Sequence, residues 1–114
     1  AGYFTVGSGD ESARRAPITA FLEAGCGFGG SCLPKDVTAL VAQGRSFGIE
    51  MPLLESVLRI NRSQPSELLD ILRRKMGDLS GLRVTVLGLA FKPHTDDLRE
   101  SPAFPIVRQL LSAG

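Results

Sequence analysis

The chain has 114 residues, of which 43% are hydrophobic, and 13 basic against 12 acidic residues leave a net charge of +1. This length has room for one small domain or for parts of two. A charge so close to zero gives no field suited to nucleic acid. The sequence also has no apolar run long enough to cross a membrane and no start resembling a secretory signal. We therefore expect a soluble, cytoplasmic protein, without nucleic-acid or membrane partners, that binds any anionic ligand through local groups.

Residues 1–20 are rich in glycine and serine near their start, and their sequence pattern indicates no particular function. At its end, Ile18, Phe21 and Leu22 recur at helical spacing. The pattern predicts a short helix that ends at Gly25.

Residues 25–36, which read GCGFGGSCLPKD, place a cysteine between a glycine-rich loop and the start of a helix. The glycines allow a positive φ and a close approach to a ligand. Pro34 suits the first turn of a helix, so the helix dipole and Lys35 would favour a lowered pKa of the Cys32 thiol. Asp36 follows one turn later on the same face. The pattern indicates a reactive thiolate beside an anion-binding loop; the alternative is a tight connection with a cysteine that acts as a small buried hydrophobe.

Cys26 and Cys32 are the only cysteines. A disulfide between them would close a very small ring and consume the candidate nucleophile, so we do not expect one in a cytosolic protein. A zinc site is not expected either, because His94 is the only histidine and there is no Cys-x-x-Cys pair. We expect the side chain of Cys26 to have no chemical role.

Two helices are predicted in the middle of the chain. The first follows Cys32 and ends near Gly48, and the second starts at Pro52. Pro65 lacks an amide hydrogen and predicts a kink or a fresh start within the second helix. The apolar stripes that support these helices comprise Val37, Leu40, Val41, Leu54, Val57, Leu58, Asn61, Leu68, Leu69, Leu72 and Met76.

The last third of the chain predicts a strand, a loop and a helix. After a break at 77–81, residues 83–91 are almost continuously apolar, as in a strand buried in a parallel sheet. Ser101 can cap a helix whose first position is Pro102. This order predicts an α/β architecture that contains the first unit of a Rossmann-like domain.

The loop of this unit carries candidate phosphate ligands. Lys92 can place a point charge on a phosphate, and Arg99 can contact one through two parallel hydrogen bonds. The alternative is that the charged residues of the loop pair with one another at the surface, which would contribute little stability. These residues are Asp96, Asp97, Arg99 and Glu100.

Two long strings resemble one known family. Residues 28–36 (FGGSCLPKD) resemble the catalytic-cysteine segment of the UDP-glucose/GDP-mannose dehydrogenase family, and residues 88–102 (GLAFKPHTDDLRESP) resemble the start of its nucleotide-sugar-binding C-terminal domain. The resemblance implies that residues 21–78 form the cysteine loop and a mainly helical dimerisation region. It implies that 79–114 begin an incomplete Rossmann-like domain.

The resemblance also implies roles for individual residues. Cys32 matches the family's nucleophile, Asp36 the carboxylate that assists it, and Lys35 and Arg99 match residues close to the cofactor NAD. The positions that match substrate contacts are Glu23, Ala24, Gly25, Cys26, Gly27, Phe28, Gly29, Phe91 and Lys92. An arginine that the family contributes across its dimer is matched only approximately by Arg14 or Arg15.

The implied reaction oxidises the C6 alcohol of a nucleotide-diphosphate hexose, UDP-glucose foremost, to the uronic acid by two hydride transfers to NAD. The Cys32 thiolate would add to the intermediate aldehyde, and the resulting thiohemiacetal would become a thioester that water hydrolyses. The quoted motifs do not distinguish UDP-glucose from GDP-mannose or N-acetylated sugars.

The resemblance covers a middle portion of such an enzyme. No Gly-x-Gly-x-x-Gly follows a strand, so the NAD-binding domain is expected to lie outside this chain, and these residues alone are not expected to turn over substrate. Two other functions stay open: a non-catalytic helical dimerisation fragment of the same kind of enzyme, and a redox-sensing thiol protein.

Overall fold

The computed structural model describes residues 25–114, which contain three helices: α1 (Leu33–Ser46), α2 (Pro52–Met76) and α3 (Ala103–Ser112). α1 starts directly after Cys32 with Pro34 in its first turn and ends before Gly48, which has a positive φ of 71°. The predicted boundaries of α1 and the start of α2 at Pro52 are therefore confirmed. The predicted helix before Gly25 and the candidate contacts Glu23 and Ala24 lie outside the described residues, as do Arg14 and Arg15.

α2 continues through Pro65 without interruption. Of the two outcomes predicted for this proline, the fresh start is wrong. Proline removes one backbone hydrogen bond from a helix, but Pro65 and Leu69 are the buried residues of α2. Burial of the proline ring helps to offset the lost hydrogen bond, because apolar surface removed from water stabilises the folded state.

A small core forms where α2 packs against the other two helices. Leu69 of α2 is 1% exposed, and Ala103 and Ile106 of α3 are buried with it. Ser101 is buried, and its hydroxyl accepts a hydrogen bond from the Ala103 amide at 3.3 Å. The helix starts where the sequence predicts to within one residue, but Pro102, and not Ser101, occupies the N-cap position of α3.

The strand predicted over residues 83–91 is not confirmed, since no strand occurs among residues 25–114. Apolar side chains of this segment are open to solvent: Leu87 is 91% exposed, and Val84 and Leu89 are nearly half exposed. A strand requires hydrogen bonds to a neighbouring strand, and the described part of the chain supplies no such neighbour. The described fold is thus helical, and the expected α/β class is not confirmed within it.

Candidate active site

Cys32 occupies the N-cap position of α1 and is exposed. Its carbonyl oxygen accepts the Asp36 amide at 2.8 Å, which closes the first turn of the helix. The Ser31 hydroxyl lies 3.6 Å from Cys32 Sγ, within hydrogen-bonding range for sulfur. The thiol therefore lies at the positive end of a helix and is accessible to a ligand.

Asp36 lies in the first turn of α1, where a negative charge interacts favourably with the helix dipole. Its Oδ1 is 3.3 Å from Lys35 Nζ, and both side chains are largely exposed. An ion pair this exposed stabilises little. Because this ion pair is weak, Lys35 and Asp36 can separate, and each can then contact a bound ligand or a water molecule.

The glycines of the cysteine loop approach another part of the protein closely. Gly29 and Gly30 are both buried. A Cβ built on Gly29 would overlap the carbonyl oxygen of Glu100, and one built on Gly30 would lie 2.9 Å from the Phe91 ring. Glu100 itself has a φ of 52°, which is uncommon for a residue other than glycine. At Gly29 and Gly30 the close approach is thus to the protein's own 91–101 segment, whereas the sequence pattern predicts a close approach to a ligand.

One backbone hydrogen bond joins the two strings that carry the family resemblance. The Gly30 amide donates to the Arg99 carbonyl oxygen at 2.8 Å. Phe91 contacts the same glycine, and Lys92 Nζ lies 5.4 Å from the centroid of the Phe91 ring. The structure therefore brings Phe91, Lys92 and Arg99 to the loop that carries Cys32, although they are far apart in the sequence.

Arg99 forms a bidentate ion pair with Asp97. Its Nε and Nη2 donate to Asp97 Oδ1 and Oδ2 at 2.9 and 2.7 Å, and its backbone amide donates to Oδ1 at 2.9 Å. The alternative interpretation of this loop, pairing among its own charges, therefore holds for these two residues. Asp97 also raises the pKa of the Arg99 guanidinium, and the thiolate of Cys32 acts in the same direction. The cationic group of Arg99 thus lies within electrostatic range of the sulfur.

The ion pair with Arg99 also lowers the pKa of Asp97. Hydrogen bonds from Arg99 lower the pKa of the Asp97 carboxyl from 3.8 to about 2. Because this pKa is lower in the folded state, the ionised carboxylate favours folding at pH values above 3.8. That contribution is lost as the pH falls from 3.8 through about 2.

We expect Arg99→Gln to raise the pKa of Asp97 towards its ordinary value, because the charged donor is removed. Titration of the Asp97 side-chain carboxyl by NMR measures this shift. Arg73→Gln is the matched control, since Arg73 forms an exposed pair with Asp70 at 3.1 Å and should leave Asp97 unchanged. An Asp97 midpoint that stays near 2 in Arg99→Gln would contradict the assignment.

Asn61 is the residue whose role the sequence pattern did not reveal. The sequence pattern places it on the apolar face of the second helix, but its side chain binds the backbone of Phe28 in the cysteine loop. The available signal was a carboxamide among apolar residues on one helical face. A polar group in such a position needs a hydrogen-bond partner.

The other candidates of the loop are also described. Gly25, Cys26 and Gly27 are exposed. Both cysteines are free thiols. Within residues 25–114, no cluster of histidine, cysteine and acidic side chains could hold a metal ion, and no helix could span a membrane.

Two family models match the chain. The model of the UDP-glucose/GDP-mannose dehydrogenase family's central domain matches residues 8–63. The model of the same family's UDP binding domain matches residues 85–114. The two matches include the cysteine loop and the loop that contains Lys92 and Arg99, respectively.

Curated relatives agree with these matches. The chain is 52% identical over 96 residues to the UDP-glucose 6-dehydrogenase AglM of Haloferax volcanii, an alignment that covers 84% of this chain and 22% of the relative. It is 47% identical over 94 residues to the UDP-glucose 6-dehydrogenase TuaD of Bacillus subtilis, covering 82% and 20%. The chain thus spans about a fifth of the length of these relatives.

Solved structures show the same similarity in three dimensions. A UDP-glucose dehydrogenase from Pyrobaculum islandicum superposes with a TM-score of 0.76 at 49% identity, covering 80% of this chain and 21% of that one. A GDP-mannose dehydrogenase from Pseudomonas aeruginosa, solved as a ternary complex, gives 0.73 at 38% identity, covering 84% and 21%. The family resemblance of the two motifs is confirmed, and the chain belongs to the UDP-glucose/GDP-mannose dehydrogenase family.

Proposed function

We propose that this chain forms the catalytic-cysteine part of an NAD-dependent nucleotide-sugar 6-dehydrogenase that oxidises the C6 alcohol of UDP-glucose, or of a related nucleotide sugar, to the uronic acid. One observation carries the proposal: the exposed Cys32 lies at a helix start, in a loop that binds the segment containing Lys92 and Arg99. Family membership makes oxidation of a nucleotide sugar the reaction that suits this arrangement.

The proposed organisation keeps the two regions expected from the sequence. Residues 21–78 would hold the cysteine loop and a helical dimerisation region, and 79–114 would begin a Rossmann-like nucleotide-sugar-binding domain. The exposed apolar side chains of Val84, Leu87 and Leu89 support the second assignment. Side chains of this kind occur in strands that are covered on both faces of a parallel sheet.

The nucleotide sugar would bind between the two loops. Lys92 is exposed beside Phe91, and its ammonium can serve as a point charge for a phosphate or for the sugar's new carboxylate. The backbone of residues 23–29 would follow the ligand, which the exposure of Gly25, Cys26 and Gly27 permits.

Lys35 and Arg99 fit an anionic dinucleotide such as NAD. Their side chains are 72% and 69% exposed, respectively, so both cations are accessible to phosphate groups. When bound, NAD supplies the hydride acceptor for an oxidation of this kind. The carboxylate of Asp97 would hold the Arg99 guanidinium in a fixed orientation for that contact.

Cys32 would provide the covalent step. Its thiolate adds to the carbonyl carbon of the intermediate aldehyde, so that a carbon–sulfur bond forms and the carbonyl oxygen takes up a proton to give a thiohemiacetal. The thiohemiacetal then loses its hydroxyl proton and gives up its C6 hydrogen as hydride to bound NAD, which leaves a thioester. Water adds to the same carbon, and the carbon–sulfur bond breaks. The acid leaves, and the thiolate of Cys32 is restored.

Asp36 would act on the water of this last step. It lies one helical turn from Cys32, its side chain is 66% exposed, and Lys35 keeps a positive charge 3.3 Å from its Oδ1. An ionised carboxylate in this position can orient a water molecule or accept its proton as a general base. The test of the whole proposal is acid formation by the enzyme that carries this chain after Cys32→Ser, which the proposal requires to stop.

A second function, a non-catalytic helical dimerisation fragment, is favoured by the surface of α2. Leu53, Ile60 and Ile71 are 76%, 54% and 42% exposed. Their spacing of seven and eleven residues places all three on one face of the helix. An exposed apolar stripe on a helix is typical of a surface that packs against another chain.

If this stripe joins two copies, we expect the 114-residue chain to have twice its monomer mass by light scattering. Leu53→Glu should reduce the mass to that of a monomer, because it places a charge in the apolar contact. Leu111→Glu is the control, as Leu111 is equally exposed but lies on α3. A monomeric wild-type chain would contradict dimerisation through this stripe within the chain itself.

A further inference from the structure

A side chain of α2 holds the backbone of the cysteine loop. Asn61 Oδ1 accepts the Phe28 amide at 2.7 Å, and Asn61 Nδ2 donates to the Phe28 carbonyl oxygen at 3.0 Å, across 33 residues of sequence. An asparagine side chain has one acceptor and one donor group on the same carbon, so it satisfies both backbone groups of a single residue. Aspartate lacks the donor, and leucine lacks both groups.

The approach of the loop to Asn61 is also close enough to require glycine. Gly27 has a φ of 114°, and a Cβ built on it would lie 2.7 Å from Asn61 Oδ1. A side chain at this position would therefore displace the carboxamide. The hydrogen bonds and the close backbone contact together fix the loop on α2 immediately before Gly29 and Gly30.

The loop is thus held at two successive points. Asn61 binds Phe28, and two residues later the Gly30 amide donates to the Arg99 carbonyl oxygen. Cys32 follows directly at the start of α1. A cavity of about 450 Å³ lies beside the first contact, lined in part by Phe28 and Asn61. The loop therefore borders open space on this side, and the two Asn61 hydrogen bonds hold the Phe28 backbone there.

We infer that Asn61 is a positioning residue, which sets the place of Cys32 relative to Arg99 by holding the Phe28 backbone. The inference rests on the proposed function for its consequence in catalysis, but not for the contact itself. Loss of the contact should affect the step that needs the thiolate, namely consumption of the aldehyde, more than the first oxidation of the alcohol.

The contact is tested by amide hydrogen exchange in the 114-residue chain. In Asn61→Leu, the Phe28 and Gly30 amides should exchange about tenfold faster, as expected when one or two hydrogen bonds are lost locally. Asn61→Asp should accelerate Phe28 less, because an acceptor for its amide remains. Gln109→Ala is the control: this carboxamide receives a hydrogen bond from Ser66 Oγ at 3.3 Å, so its loss removes a contact between α2 and α3.

Unchanged exchange of Phe28 in Asn61→Leu would overturn the inference. Equal acceleration of amides throughout α1 and α2 would overturn it as well, because the residue would then stabilise the fold in general. If Asn61→Leu does not fold, the exchange rate of the Phe28 amide in Asn61→Asp decides between these outcomes, since that change preserves the shape of the side chain.

The consequence for catalysis is measured in the enzyme that carries this chain, with UDP-glucose and NAD. A hydroxylamine probe traps released aldehyde, and we expect the share of product released as aldehyde to rise about fivefold in Asn61→Asp, with no rise in Gln109→Ala. An equal reduction of both oxidation steps would overturn the positioning role. An intact enzyme that forms no acid at all would instead contradict the proposed function, while the exchange of Phe28 would still decide the contact.

Discussion

Cys32→Ser is expected to abolish formation of the uronic acid in the enzyme that carries this chain, with a loss of roughly three orders of magnitude or more, as for other removed nucleophiles. A serine hydroxyl is not ionised near neutral pH and adds poorly to the aldehyde. The variant should therefore form no more than one equivalent of reduced NAD per nucleotide sugar. Chromatography of the acid and absorbance of reduced NAD measure the two quantities.

The matched control is Cys26→Ser, which makes the same chemical change in the same loop. Both cysteines are exposed free thiols, so general access to solvent does not distinguish them. Only Cys32 lies at the N-cap of α1 and within electrostatic range of Arg99. We expect Cys26→Ser to lower the rate by about tenfold at most, because only its backbone is assigned to the substrate. Normal acid production by Cys32→Ser would refute the nucleophile assignment.

Gly29→Ala is expected to separate the two loops. The new methyl group would overlap the Glu100 carbonyl oxygen and lie 3.1 Å from Phe91 Cβ, so the 91–101 segment must move. The adjacent hydrogen bond from Gly30 to Arg99 would be strained or broken. We expect the free energy of unfolding to fall by about 3 kcal/mol, the upper end for an overpacked site. Misplacement of Cys32 should slow acid formation by about a hundredfold.

Gly25→Ala provides the control for stability, because a Cβ at Gly25 meets nothing within 4 Å. The comparison removes the general effect of alanine on the unfolded chain. Urea denaturation followed by circular dichroism at the helical signal gives both free energies. The contact would be disproved if Gly29→Ala and Gly25→Ala unfolded at the same urea concentration.

Local chemistry explains the elements that could be predicted. Pro34 and Pro52 mark the first turns of α1 and α2, and the Ser101 hydroxyl accepts a hydrogen bond from the amide of Ala103, the first residue of α3. Each of these signals acts within a few residues of the helix end. The position of Cys32 at a helix start is predictable for the same reason, and the family resemblance implies that Lys35 and Arg99 both lie close to the cofactor.

The predictions that are wrong or not confirmed concern interactions beyond one element. The predicted fresh start at Pro65 is wrong: the residue lies inside α2 and is buried, and that burial depends on how the helices pack. The apolar segment over 83–91 has the composition of a strand but no neighbouring strand within residues 25–114. Strand formation needs a partner chain segment, so periodicity and composition cannot decide it.

Local residue patterns are sufficient to predict the starts of α1 and α2, the location of the thiol and, through two motifs, the family. The contacts of the glycines and of Asn61 depend instead on how distant segments pack. Gly29 is needed because the Glu100 carbonyl lies against it, and Asn61 binds Phe28 across 33 residues. Backbone hydrogen bonds and close approaches between distant segments leave no periodic signature in a single sequence. They are fixed when α2, the cysteine loop and the Arg99 loop pack together.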